Sequence, residues 1–125
     1  MRLLLDTHVL LWWGTDDPRL PGSWRPILTD PTHDVFVSSV SMAEIAIKAS
    51  LGKLSAPRDL FGGLEEQGFA ILSLSFDHAA QLWDLPWHHR DPFDRMLVAH
   101  ARVEGLIVVT VDPAFAAYDI HVLQT

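Results

Sequence analysis

The sequence predicts an α/β fold, a three-layer α/β/α sandwich around a central, mostly parallel sheet. Three observations lead there. Short apolar runs alternate along the chain with stretches of helical periodicity. The runs Leu3-Leu4-Leu5, Val35-Phe36-Val37, Phe69-Ala70-Ile71-Leu72 and Leu106-Ile107-Val108-Val109 have no in/out alternation, which marks strands covered on both faces. Gly, Pro and Asp clusters fall between them as turn signals. Its 125 residues suit a single domain, residues 1–125, burying roughly two-thirds of the unfolded surface.

Taken in order, Leu3-Leu4-Leu5 predicts a strand ended by Asp6-Thr7, and Val9 to Trp13 a short helix closed at Gly14. Ser23 is placed to cap a helix from Trp24 to Leu28. The second strand spans Asp34 to Ser38. Ser41-Met42-Ala43-Glu44 matches a capping box that would open a helix ended by Gly52. A further helix is predicted over Pro57 to Gln67 with Gly68 as its stop, then a strand over Phe69 to Leu72 and a helix over Phe76 to Leu82. Asp91-Pro92 reads as N-cap and first helical residue, with Phe93, Met96, Leu97 and Ala101 on a buried face and Gly105 as terminator. Leu106 to Thr110 is a strand, followed by Asp112-Pro113, a short helix through Tyr118 and a closing strand near Val122-Leu123.

Composition narrows the function. No apolar run is long enough to cross a bilayer, and Met1-Arg2-Leu3-Leu4-Leu5-Asp6 does not read as a signal peptide because a charge interrupts it at once. The absence of cysteine removes disulfides and thiolate metal sites and fits a cytoplasmic location. The net charge of −7 argues against a broad phosphate-grasping surface. A local basic rim or a bound cation would still allow nucleic acid.

The acids carry the chemistry. In a parallel sheet the ligand crevice lies beyond the carboxyl ends of the strands. Asp6 follows the first strand, Asp112 the penultimate one, Glu44 a helix start after the second, and Asp91 and Asp94 open the long helix. Each alone could be a cap or a partner of the helix dipole. Together they are predicted to converge on one sheet edge, where two charges about 4 Å apart repel by roughly 4 kcal/mol at an effective dielectric of 20. Such a cluster calls for a cation, and hard carboxylate oxygens without cysteine favour Mg²⁺ or Mn²⁺.

Four motifs, Leu4-Leu5-Asp6-Thr7-His8, Ser41-x-x-Glu44-Ile45, Asp91-Pro92-Phe93-Asp94-Arg95 and Thr110-Val111-Asp112-Pro113-Ala114-Phe115, together resemble the PIN domain, in the branch of the VapC-type toxins of bacterial toxin–antitoxin pairs. The resemblance implies a Mg²⁺- or Mn²⁺-dependent endoribonuclease, homodimeric and silenced by a cognate antitoxin, whose cut leaves a 5′-phosphate and a 3′-hydroxyl. Asp6, Glu44, Asp94 and Asp112 match the family's acidic quartet, and Asp91 is an extra acid that could ligate in place of Asp94. Where many relatives carry a bulky aromatic before the glutamate, this chain has Ala43. Asp6 and Asp94, with Asp112 or Glu44, would hold one or two ions that activate water and neutralise phosphate charge. Glu44 could instead be a general base acting through water. Thr7 and Thr110 are expected to hydrogen-bond a ligand carboxylate or water. Lys48 could bind RNA phosphate, though an i,i+4 ion pair with Glu44 is the stronger reading, and Arg95 could contact phosphate or be solvated. His88-His89-Arg90 reads as a polar loop rather than a metal or base motif, and Trp12, Trp13, Trp83 and Trp87 as core or interface packing. Antitoxin segments could use apolar grooves. The alternatives from other classes are a phospho-acceptor receiver-like domain, which lacks here the acid after the central strand and the late lysine it needs, and a non-catalytic α/β binding module.

Overall fold

A computed structural model describes residues 1–123. Its centre is β1 (Arg2–Leu5), flanked by β2 (Asp34–Ser38) on one side and β4 (Ile107–Val109) on the other. β3 (Phe69–Leu72) and β5 (His121–Val122) form the edges, giving the order β3-β2-β1-β4-β5 with every pairing parallel. Leu3 lies opposite Val35 on one side and Ile107 on the other, so the register places the apolar runs side by side.

The pleat divides these runs between two cores. Leu3, Leu5, Val35, Val37 and Val109 face a layer made by α1 (Thr7–Gly14), α2 (Trp24–Thr29) and the segment after α3 (Ser39–Ser50), with Trp24 fully buried in it. Leu4 and Val108 face the other layer, where α5 (Pro92–Glu104) supplies Leu97, Val98 and Ala101, and the short 3₁₀ turn Pro113–Ala117 supplies Phe115. This is the expected three-layer α/β sandwich. The edge strand β3 departs from it, because Ala70 and Ile71 are exposed.

Three expectations are corrected. Residues 57–67 form successive turns rather than a helix. Adjacent Gly62 and Gly63 each cost about 1 kcal/mol in a helix interior, and buried Leu60 and Leu64 pin the segment to the sheet without one. The box at Ser41 and Glu44 does not form. Instead β2 runs straight into α3, and the Ser38 hydroxyl caps it by accepting from Val40 N at 2.9 Å. The actual capping box opens α4 (Phe76–Gln81), between Ser75 and His78. Trp83 and Trp87 are outside both cores, 91% and 75% exposed, which removes the core half of their reading and leaves interface packing untouched.

The start and end of α5 follow the sequence reading. Asp91 Oδ1 accepts from Phe93 N and Asp94 N, Pro92 is the first helical residue, and Gly105 ends the helix at φ +66°, where a side chain would be strained. In the middle of α5, fully buried His100 places Nε2 2.7 Å from Ser38 Oγ, tying this helix to the junction of β2 and α3. Burial, with His78 alongside, pulls His100 down to about 4.

Candidate active site

Chain order moves outward from β1 to β2 and β3, then returns to place β4 on the other side of β1. Connections therefore leave β1 and β4 towards opposite faces, opening a crevice at their carboxyl ends. Asp6 and Asp112 stand at that opening.

Asp6 ends β1 and occupies the N-cap position of α1, but its side chain makes no capping bond. Instead Thr110 Oγ1 donates to Asp6 Oδ2 at 2.7 Å, while Oδ1 is buried with no hydrogen-bond partner among the described residues. Burial raises the Asp6 pKa, with the Thr110 hydroxyl, His8 and the neighbouring Thr7 N–H opposing and Glu44 adding to the rise. Because α3 begins at Ser39, Glu44 lies in the second turn of the helix rather than at its start. It is 3% exposed, Lys48 Nζ donates to its Oε2 at 2.5 Å, and its Oε1 is buried without a partner.

Asp94 projects from the first turn of α5 and is pushed up to about 7. Burial is the largest cause, and the charges of Asp6, Asp91 and Glu44 follow, with His89 opposing. Asp94 thus feels three other carboxylates, from β1, the α5 cap and α3. Asp112 is held from both sides: its Oδ1 accepts from Ala114 N at 2.9 Å, capping the 3₁₀ turn, and its Oδ2 lies 3.1 Å from His89 Nε2. Its own N–H donates to Thr110 Oγ1 at 3.0 Å, so one threonine joins Asp6 to Asp112.

The supporting residues sort differently from their sequence reading. Thr110 orients a carboxylate as expected, but Thr7 Oγ1 pairs with Ser41 Oγ at 3.0 Å. Lys48 is the i,i+4 partner of Glu44, and the nearby Glu44, Asp91 and Asp94 charges help keep its pKa raised. Arg95 does not fit a phosphate contact. It is 4% exposed, and its guanidinium donates to the carbonyls of Leu85 at 3.0 Å and Pro86 at 2.8 Å. Asp91 spends Oδ1 on two backbone amides of α5, which leaves it a cap whose charge acts on Asp94.

One residue was missed. His89, read as part of a polar loop, puts Nε2 2.9 Å from Asp94 Oδ2 as well as 3.1 Å from Asp112 Oδ2. These three side chains are close enough to share an ion. The only sequence signal was its position two residues before Asp91.

The residues fit a divalent cation on two observations. Buried polar atoms are nearly always paired, yet one oxygen each of Asp6 and Glu44 is not. The surrounding donors are mainly hard carboxylates, whose burial together is costly unless positive charge is added.

A five-stranded parallel sheet with an acid-lined crevice at its switch point defines the class, an α/β protein whose site lies at the carboxyl edge. The chain belongs to the PIN domain family, whose family model matches residues 3–120. No curated protein matches it. Among solved structures it is similar in fold to VapBC2 from Rickettsia felis bound to a promoter DNA fragment, at 16% identity and a TM-score of 0.70, covering 99% of this chain and 98% of that one. It is also similar to DNA-bound VapBC from Salmonella typhimurium, at 19% identity and TM-score 0.73, covering 98% and 97%. FitAcB from Neisseria gonorrhoeae gives 23% identity and TM-score 0.65, covering 98% and 96%.

Proposed function

We propose that this chain is a Mg²⁺- or Mn²⁺-dependent endoribonuclease, the toxin of a toxin–antitoxin pair that acts in the cytoplasm as a homodimer and is silenced by its cognate antitoxin. The observation that carries the reading is the pair of buried, unpartnered carboxylate oxygens on Asp6 and Glu44, in a crevice where Asp94 is pushed up to about 7. PIN domains are generally nucleases, which supports phosphodiester hydrolysis. The likeness to VapBC and FitAcB assemblies supports a protein partner of the antitoxin kind.

Asp6, Glu44 and Asp94 would hold the ion, with Asp112 beside them. A bound divalent ion would supply Lewis acidity, lowering the pKa of water and neutralising charge on the scissile phosphate. The chain's own groups do the rest. Thr110 holds Asp6 by occupying Oδ2, so Oδ1 is the oxygen left for an ion. Lys48 occupies Glu44 Oε2, so Oε1 is the oxygen left to act. The Pro113–Ala117 cap holds Asp112 in place.

The test is cleavage of a labelled single-stranded RNA by purified protein with Mg²⁺ or Mn²⁺. Cleavage is expected for the wild type, loss to background for Asp6→Asn and Asp94→Asn, and unchanged far-ultraviolet circular dichroism for both. An Asp6→Asn protein that cuts as fast as wild type refutes the site. A folded wild type that cuts no RNA with either ion favours a non-catalytic binding module.

A further inference from the structure

The structure assigns His89 as a positioning residue that donates from Nε2 to orient Asp94 and Asp112, and not as a ligand of the ion; the inference rests on the metal-dependent reading above. Asp91 N–H donates to His89 Nδ1 at 3.1 Å, so Nδ1 must present its lone pair. A neutral imidazole carries one N–H, which is then on Nε2, the atom 2.9 Å from Asp94 Oδ2 and 3.1 Å from Asp112 Oδ2. Both distances are those of N–H···O contacts. For Nε2 to bind a cation, the proton would have to sit on Nδ1, facing the Asp91 N–H donor to donor.

The loop that carries His89 is fixed from several directions, so the ring has little freedom to flip and exchange the places of its two nitrogens. His89 N–H donates to the Tyr118 hydroxyl at 3.0 Å, and its ring stands edge-on to Phe115. The Arg95 guanidinium binds the Leu85 and Pro86 carbonyls and lies 3.6 Å from the centre of the Trp87 ring. Arg95 is the residue after Asp94, so one turn of α5 presents a carboxylate to the crevice and clamps the loop whose histidine steadies that carboxylate. Asp94 and Asp112 reach the crevice from different elements, and among the described residues the Nε2–H is the side-chain contact that bridges them. Groups that hydrogen-bond a metal's ligands from behind set their orientation, and losing one typically weakens metal binding about 10–100-fold.

The experiment uses the full chain in three variants and two readouts. In metal-free wild type, nitrogen-15 spectra of the histidine side chains are expected to show His89 as the Nε2–H tautomer; an Nδ1–H signature overturns the assignment. By calorimetry, His89→Ala is expected to weaken Mn²⁺ binding about 10–100-fold. His89→Gln, whose amide nitrogen reaches the Nε2 position, should recover most of the affinity, and His89→Asn, whose amide stops at the Nδ1 position, should not. A glutamine variant as weak as alanine overturns the donor role, since a lost ligand would behave that way. Melting curves in chelator check that each variant folds. If the wild type binds neither Mn²⁺ nor Mg²⁺, the nuclease reading falls, while the tautomer spectrum still decides the role of His89.

Discussion

Asp94 concentrates the electrostatic cost of this fold in one side chain. Its pKa of about 7 lies above the ordinary 3.8, so the folded state holds a proton that the unfolded chain has released. For a carboxyl raised in this way, stability is fully present below about pH 4 and is lost as pH rises towards 7. At 1.36 kcal/mol per pKa unit a rise of about three units makes the loss on the order of 4 kcal/mol. Metal-free Asp94→Asn is therefore expected to melt roughly 10 °C above wild type at about pH 8, with the gap closing at about pH 4. Equal melting temperatures at about pH 8 would show that Asp94 is not strained by its neighbours. At the same scale the sequence exposed Asp6, Asp94 and Asp112 through their places after strands and at a helix start, and Glu44 through a capping box that does not form. It could not expose His89, because its contacts with Asp94 and Asp112 depend on how the 85–90 loop folds back over α5. Nor could it show that Arg95 is buried: an arginine beside an aspartate in a first helical turn looks solvated until the carbonyls it binds are in place.

Elements whose boundaries rest on local chemistry agree with the sequence, and those that depend on neighbours do not. The Asp91-Pro92 start and Gly105 stop of α5 are of the first kind, since capping and a positive φ are decided within a turn of chain. Gly105→Ala should cost about 1–2 kcal/mol, because the space around its Cβ is open and only the backbone conformation opposes it. Gly105→Asn should cost less, Asn being tolerated in that region. Urea unfolding of the three proteins checks both, and an alanine variant as stable as wild type would refute the argument. The start of α3 is of the second kind. Ser41 and Glu44 satisfy the pattern of a capping box, but Ser38 is better placed by the end of β2 to cap the helix, and Ser41 turns inward to Thr7. That shift moves Glu44 off the helix terminus and leaves its carboxylate facing the acidic crevice. The turns at 57–67 are also of the second kind, held by Leu60 and Leu64 against the sheet where helical propensity fails.

Over the whole molecule, an acidic chain of net charge −7 gathers several carboxylates at one sheet edge, and a divalent ion is the economical way to relieve them. Mn²⁺ should raise the melting temperature by mass action on the folded state, by the equivalent of about 2.7 kcal/mol at 100 times its dissociation constant. The shift should be larger at about pH 8 than at about pH 5, because Asp94 must give up its proton to bind the ion, and Asp6→Asn should abolish it. Differential scanning fluorimetry over a Mn²⁺ titration measures both, and a shift indifferent to Asp6 would place the ion elsewhere. The sequence by itself determined the parallel α/β architecture, because unbroken apolar strands can be buried only between two helical layers. It also supplied the acids, because residues at strand ends and helix starts face one edge of such a sheet. Only the tertiary structure decided which oxygens remain free and which side chains hold the others still, since Thr110 reaches Asp6 from the far end of the chain and His89 meets Asp94 and Asp112 only once its loop has folded back, whereas the Lys48–Glu44 pair is set within one helix.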